Sequence, residues 1–222
     1  MDEKQLYGNN DSMTVEELKQ RFENALKECP IIAILRGITP EEVEKVCCFF
    51  AETGIKLLEI PLNTPRALEC IAIAAKTIAP GQIVGAGTVL TPENVRDVRK
   101  AGGKFIISPN TDTVVIQETK SCGLLSMPGC FTVSEAFVAQ SAGADFLKLF
   151  PVGSIGAGYI KDIKAVVKAP FIAVGGVTLS NMPDFLKSCN GVGIGSALYK
   201  PGKCWDDFCR DTENFVKAAR NR

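Results

Sequence analysis

The chain lacks histidine altogether: none occurs among its 222 residues. That absence excludes Ser-His-Asp hydrolases, Cys-His proteases and His-ligated zinc or iron centres, all of which need an imidazole. Chemistry here has to run on carboxylates, lysines, arginines, hydroxyls, thiols or backbone dipoles, with no metal or cofactor expected. A charge excess is missing too, since 25 Lys+Arg balance 25 Asp+Glu. The basic surplus of a phosphate-tracking nucleic-acid binder is therefore not present. No apolar run approaches the roughly 20 residues of a membrane helix. The opening MDEKQLYGNNDS is acidic and polar and does not read as a signal peptide. The nine cysteines contain no CxxC, their count is odd, and Cys47 and Cys48 are adjacent, which is poor disulfide geometry. Most lie among Ala, Val, Phe and Leu, where a thiol behaves as a small apolar side chain. A reduced, cytoplasmic protein is the expectation, with a redox role as the alternative.

What is present is one repeated pattern. After a polar leader at 1–13, expected to be flexible, Thr14 and Glu17 make a capping box for a helix carrying Val15, Leu18, Phe22 and Leu26 on one face. Eight apolar runs follow: Ile31–Leu35, Lys56–Leu62, Ile83–Val89, Lys104–Ser108, Leu124–Met127, Phe146–Phe150, Phe171–Val177 and Val192–Leu198. They recur at intervals of roughly 20 to 26 residues, the spacing of a strand, a helix and two loops. Their near-continuous Ile, Val, Leu, Ala and Phe content suits parallel strands covered on both faces. Thr39-Pro40, Thr64-Pro65, Thr91-Pro92 and Thr132 ahead of Glu135 predict helix starts, and Gly54, Gly102, Gly123 and Gly143 predict helix ends. The pattern predicts a single α/β domain over 14–222. Its architecture is a (β/α)8 TIM barrel with an N-terminal helix and a closing helix from Trp205 to Ala219. A doubly wound open sheet is the alternative.

Barrels of this kind carry their chemistry at the C-terminal ends of the strands. Lys148 lies between Phe146 and Phe150 on one face of the sixth run, where loss of solvation would lower its pKa and make it a nucleophilic amine. It could instead snorkel or form a structural ion pair. Glu59, inside Leu57-Leu58-Glu59-Ile60, is the candidate general acid/base, or else simply a counter-ion for Lys148 or Arg36. Arg36 closes the first run and suits a bidentate carboxylate clamp. Thr88, framed by Gly87 and Val89, closes the third and could equally be a strand or capping threonine. Gly175-Gly176 closes the seventh run and Gly195-Ser196 the eighth. Loops in those two places, with a short helix N-terminus, form the recurrent phosphate site of such barrels, although tight turns alone would also want these residues.

Taken in order, LLEIPLNTP (57–65), IVGAGTVLTPENV (83–95), FIISPN (105–110), MPGCFTVSEAF (127–137), LKLFP (147–151) and AVGGV (173–177) resemble the class I 2-keto-3-deoxy-6-phosphosugar-acid aldolases of the KDPG/KHG type. The resemblance runs from about Pro30 to Gly202. It implies cleavage to pyruvate and glyceraldehyde 3-phosphate through a Schiff base on Lys148, with Glu59 shuttling protons and Thr88 near the pyruvate carboxylate. It further implies that Gly175, Gly176, Gly195 and Ser196 hold phosphate, and that the assembly is a homotrimer. Members acting on the gluconate epimer typically carry an arginine where this chain has Asn63. ILRGITP around Arg36 and SPN at 108–110 look like the 6-phosphogalactonate branch, in which the first-strand arginine takes over the carboxylate contact. The gluconate epimer and 4-hydroxy-2-oxoglutarate stay open as substrates. A metal-dependent aldolase, a phosphosugar isomerase and a non-catalytic phosphosugar-binding barrel are the rival readings.

Overall fold

The computed structural model describes residues 13–220, so the leader reading falls, apart from Met13, outside the described residues. Helix α1 (Val15–Glu28) starts on the expected box, Thr14 N–H donating to Glu17 Oε2 at 2.7 Å and Glu17 N–H to Thr14 Oγ1 at 3.2 Å. Then come β1 (Ile31–Ile34), α2 (Pro40–Thr53), β2 (Leu57–Pro61), α3 (Ala67–Thr77), β3 (Ile83–Gly87), α4 (Pro92–Lys100), β4 (Phe105–Ile107), α5 (Thr113–Ser121), β5 (Leu125–Met127) and β6 (Gly129–Cys130). The chain closes with α6 (Val133–Ser141), β7 (Leu147–Leu149), α7 (Gly156–Val166), β8 (Phe171–Val174), α8 (Met182–Leu186), β9 (Gly191–Ile194) and α9 (Trp205–Arg220).

All the pairings are parallel, in the order β5-β4-β3-β2-β1-β9-β8-β7-β6. The nine segments make eight staves, because β5, within the fifth apolar run, and β6, just past its end, form one stave parted at Pro128. Proline has no N–H to give a ladder. Below it β5 pairs with β4, and above it β6 pairs with β7. The Pro128 carbonyl accepts from Lys148 N–H at 2.9 Å, and the Ser126 carbonyl from Phe146 N–H at 3.1 Å. The fifth stave thus joins the sixth, which completes the ring, and the barrel expectation holds.

Alternation along the strands sorts the apolar residues into two cores. Ile31, Ala33, Leu58, Ile60, Val84 and Ala86 pack outward against the helices. Ile32, Ile34, Leu57, Ile83, Phe105, Ile107, Phe146, Ile172 and Val174 fill the interior together with Leu18, Phe22 and Leu26 of α1. Helix α1 is therefore the plug at the N-terminal end: the Phe22 ring lies 4.8 Å from that of Phe146 and 5.3 Å from that of Phe105.

Two expectations need correction. The strands end sooner than the apolar runs do. Arg36, Thr88, Gly175, Gly176, Gly195 and Ser196 lie just past the last paired residue, in loops rather than on strands. Positive φ at Gly37 (79°), Thr88 (55°), Gly175 (89°) and Gly176 (81°) ends extended geometry there. Thr64 does not start a helix either. Arg66 caps α3 at φ 56°, and the Thr64 hydroxyl instead accepts from Gly37 N–H at 2.9 Å, tying the loop after β2 to the loop after β1.

Candidate active site

Glu59 and Lys148 are mid-strand residues on the interior parity of β2 and β7, and only 3% and 7% of their surfaces are exposed. Their strand neighbours make the room. Glu59 is in register with Gly85 of β3, and Lys148 with Gly129 of β6. Gly87 matters most, since a Cβ there would come within 1.7 Å of Glu59 Oε1. Sequence reading missed Gly87 as a site residue. The signal was the Gly-Ala-Gly alternation, which strips side chains from one face of β3.

The Glu59 side chain makes no hydrogen bond or ion pair among the described residues, and its Oε2 is fully buried without a partner. Burial pushes its carboxyl above the ordinary carboxylate range, opposed by the charges of Lys148 and then Arg36. Burial likewise pulls Lys148 below the usual lysine value, opposed by Glu59 and assisted by Arg36. The amine sits 4.6 Å from the centre of the Phe150 ring. The counter-ion reading of Glu59 thus keeps its electrostatics but not its contact: no salt bridge joins the two side chains. What remains is an amine inclined to lose its proton and an acid inclined to keep one, in a shared apolar interior. That pairing suits nucleophilic attack followed by proton transfer.

Around this pair the loops supply polar groups. Arg36 is exposed and donates from Nη1 to Asn63 Oδ1 at 2.7 Å, so the loops after β1 and β2 meet at Arg36–Asn63 as well as at Gly37–Thr64. Thr88 is half-buried just after β3. Gly175-Gly176 and Gly195-Ser196 follow adjacent strands, β8 and β9. The helix expected after the last of these is a single turn, with the Gly195 carbonyl accepting from Leu198 and Tyr199 N–H at 2.8 and 2.9 Å. No group of three or more metal-ligating side chains occurs among the described residues. A groove of about 930 Å³ opens at the opposite end, between α1 and the starts of β3 to β5, and includes neither Lys148 nor Glu59. The buried ionisable pair and the glycine loops place the candidate site at the C-terminal mouth instead.

Fold and side chains together define a (β/α)8 barrel with an interior amine and acid beneath that mouth. The chain belongs to the KDPG and KHG aldolase family, whose model matches residues 22–207. It is 40% identical over 194 residues to the 2-dehydro-3-deoxy-6-phosphogalactonate aldolase of Escherichia coli, covering 86% of this chain and 95% of that protein. Identity to the KHG/KDPG aldolase of the same organism is 28% over 206 residues, covering 91% of this chain and 94% of that one. A solved structure described as native KDPGal superposes with a TM-score of 0.84 at 39% identity, covering 86% of this chain and 95% of that chain.

Proposed function

We propose that this chain is a class I aldolase that cleaves 2-dehydro-3-deoxy-6-phosphogalactonate to pyruvate and glyceraldehyde 3-phosphate. The observation that carries the reading is the buried Lys148 amine, lowered in pKa and sharing its interior with an unpartnered Glu59. The neutral amine adds to the C2 ketone. Glu59 supplies the proton with which the carbinolamine loses water, leaving an iminium. Its carboxylate then takes the C4 hydroxyl proton, the C3–C4 bond breaks, and the bonding electrons enter the iminium to give an enamine. The aldehyde phosphate departs. Protonation at C3 and addition of water release pyruvate and regenerate the amine.

Arg36 and Thr88 anchor the substrate carboxylate, and the glycine loops after β8 and β9 hold the phosphate. Remote phosphate binding is thereby spent on aligning the reacting carbons. The Arg36–Asn63 bond supports the galactonate branch: an asparagine carbonyl orients the guanidinium, where a second arginine would repel it. Cleavage rates for the two C4-epimeric 6-phosphates test this, with the galactonate epimer expected to be preferred. A strong gluconate preference would overturn the roles given to Arg36 and Asn63.

Gly87→Ala should cut kcat by about 100-fold, because the new methyl must displace the Glu59 carboxyl. An unchanged kcat in a folded variant would show that the position of Glu59 is immaterial.

We read the working form as a homotrimer. Exposed Phe131, Val133, Phe137 and Val138 on and before α6 offer it an apolar face, and the Tyr159 hydroxyl steadies that face by donating to the Phe131 carbonyl at 2.6 Å. None of the nine cysteines is in a disulfide and six are buried, and burial pushes Cys47, Cys130 and Cys189 up to about 12. That pattern suits packing rather than redox work, in a reducing cytoplasm. No described helix is long and apolar enough to cross a membrane.

A further inference from the structure

A phosphate held by backbone needs N–H groups turned toward it and carbonyls turned away. Two consecutive glycines make that arrangement hard to keep, because Gly175 and Gly176 have no Cβ to bar rotation of their peptides. The structure shows how each peptide is fixed. The Gly175 carbonyl accepts from Gly153 N–H, in the loop after β7, at 2.8 Å. A peptide plane holds its C=O and the following N–H antiparallel. Anchoring Gly175 toward β7 therefore aims the Gly176 N–H to the other side, where β9 and its Gly195-Ser196 loop lie. There is no slack in that contact, as a Cβ on Gly176 would meet Gly153 Cα at 2.9 Å.

The next peptide depends on one side chain. Asn181 Nδ2 donates to the Gly176 carbonyl at 2.8 Å, while its Oδ1 accepts from Thr178 N–H at 2.7 Å. Asn181 stands just before α8, whose Met182 and Phe185 pack into the outer core. The Gly176 carbonyl is thus turned toward Asn181 at the start of α8, and planarity turns the Val177 N–H the opposite way.

We propose that Asn181 is a positioning residue for the substrate phosphate, its carboxamide holding the Gly176–Val177 peptide with its carbonyl away from the ligand. This rests on the aldolase reading and on the phosphate site within it. Without the amide, the peptide is free to rotate and present an oxygen to the phosphate.

The test uses Asn181→Leu, which loses both hydrogen bonds, and Asn181→Asp, which keeps the acceptor for Thr178 but has no donor for Gly176. In the condensation direction both variants should raise KM for glyceraldehyde 3-phosphate by about 30-fold. Their kinetics with unphosphorylated glyceraldehyde, and their exchange of pyruvate methyl hydrogens with deuterated water, should stay within about twofold of wild type. An unchanged KM for the phosphorylated aldehyde would overturn the proposal. So would an equal loss with both aldehydes, or loss of pyruvate exchange in both variants, since either would make Asn181 a residue of the fold alone. A wild type that exchanges no methyl hydrogens would overturn the aldolase reading itself, and this proposal with it.

Discussion

Lys148→Ala is expected to lower aldol cleavage by on the order of 10⁵-fold and to abolish irreversible labelling by pyruvate and borohydride. The size of the effect follows from the double duty that the proposed mechanism gives the amine, as the nucleophile and as the atom whose iminium accepts the electrons of the C3–C4 bond. No neighbouring amine can replace it, because Lys148 is the one buried lysine among the described residues. Lys148→Arg separates this role from an ion-pair role. It keeps a positive charge near Glu59 but cannot form an imine, so it should be as inactive as the alanine variant. Lys148→Met fills the same space without a desolvated ammonium and should be inactive yet no less stable than wild type. Mass spectrometry of the borohydride-treated protein provides the check. Cleavage activity retained with an unlabelled Lys148 would remove the Schiff-base mechanism.

The reason Lys148 and Glu59 could be read from sequence is that each violates its surroundings. A charge on the inward parity of an apolar strand is costly unless it has work to do, and both residues stand at such positions. The eight staves were legible for a related reason: continuous Ile, Val and Leu runs have few other folds available. Helix α1 was legible through its cap and its single apolar face. That this face would plug the barrel floor, with Phe22 against Phe105 and Phe146, was not, because those residues are far apart in sequence. Relations across strands stayed hidden in the same way. Gly87 stood in the sequence only as a neighbour of Thr88, and the clash a Cβ there would make with Glu59 depends on how β2 and β3 pair. Thr64 resembled a cap, but its hydroxyl serves Gly37 while Arg66 adopts the left-handed conformation and pairs with Glu41 and Glu69. Local patterns specify elements, and only the assembled register specifies which loops touch.

Glu59→Gln is the second large effect expected, a loss of about 10²- to 10⁴-fold in turnover from removal of the proton carrier. It carries two further signatures that a merely structural carboxylate would not combine. The first concerns Lys148. Glu59 opposes the effect of burial on the amine, whereas Arg36 reinforces it. Glu59→Gln should therefore move the pH midpoint of Lys148 reactivity downward, and Arg36→Gln should move it upward. Rates of cyanoborohydride trapping with pyruvate across pH report both, and shifts of the same sign would contradict the arrangement.

The second signature is stability. The folded protein holds the Glu59 proton more tightly than the unfolded chain does. Its stabilising contribution is thus complete below the ordinary carboxylate pKa and is lost as pH rises through the raised folded value. Glutamine has the shape of the protonated acid and never ionises. The variant should match wild type in acid and exceed it in stability and in Tm above the folded pKa. Melting curves at several pH values decide it. If the two proteins kept the same stability difference at every pH, Glu59 would not titrate on folding, and the proton it is assigned in the mechanism would have to come from elsewhere.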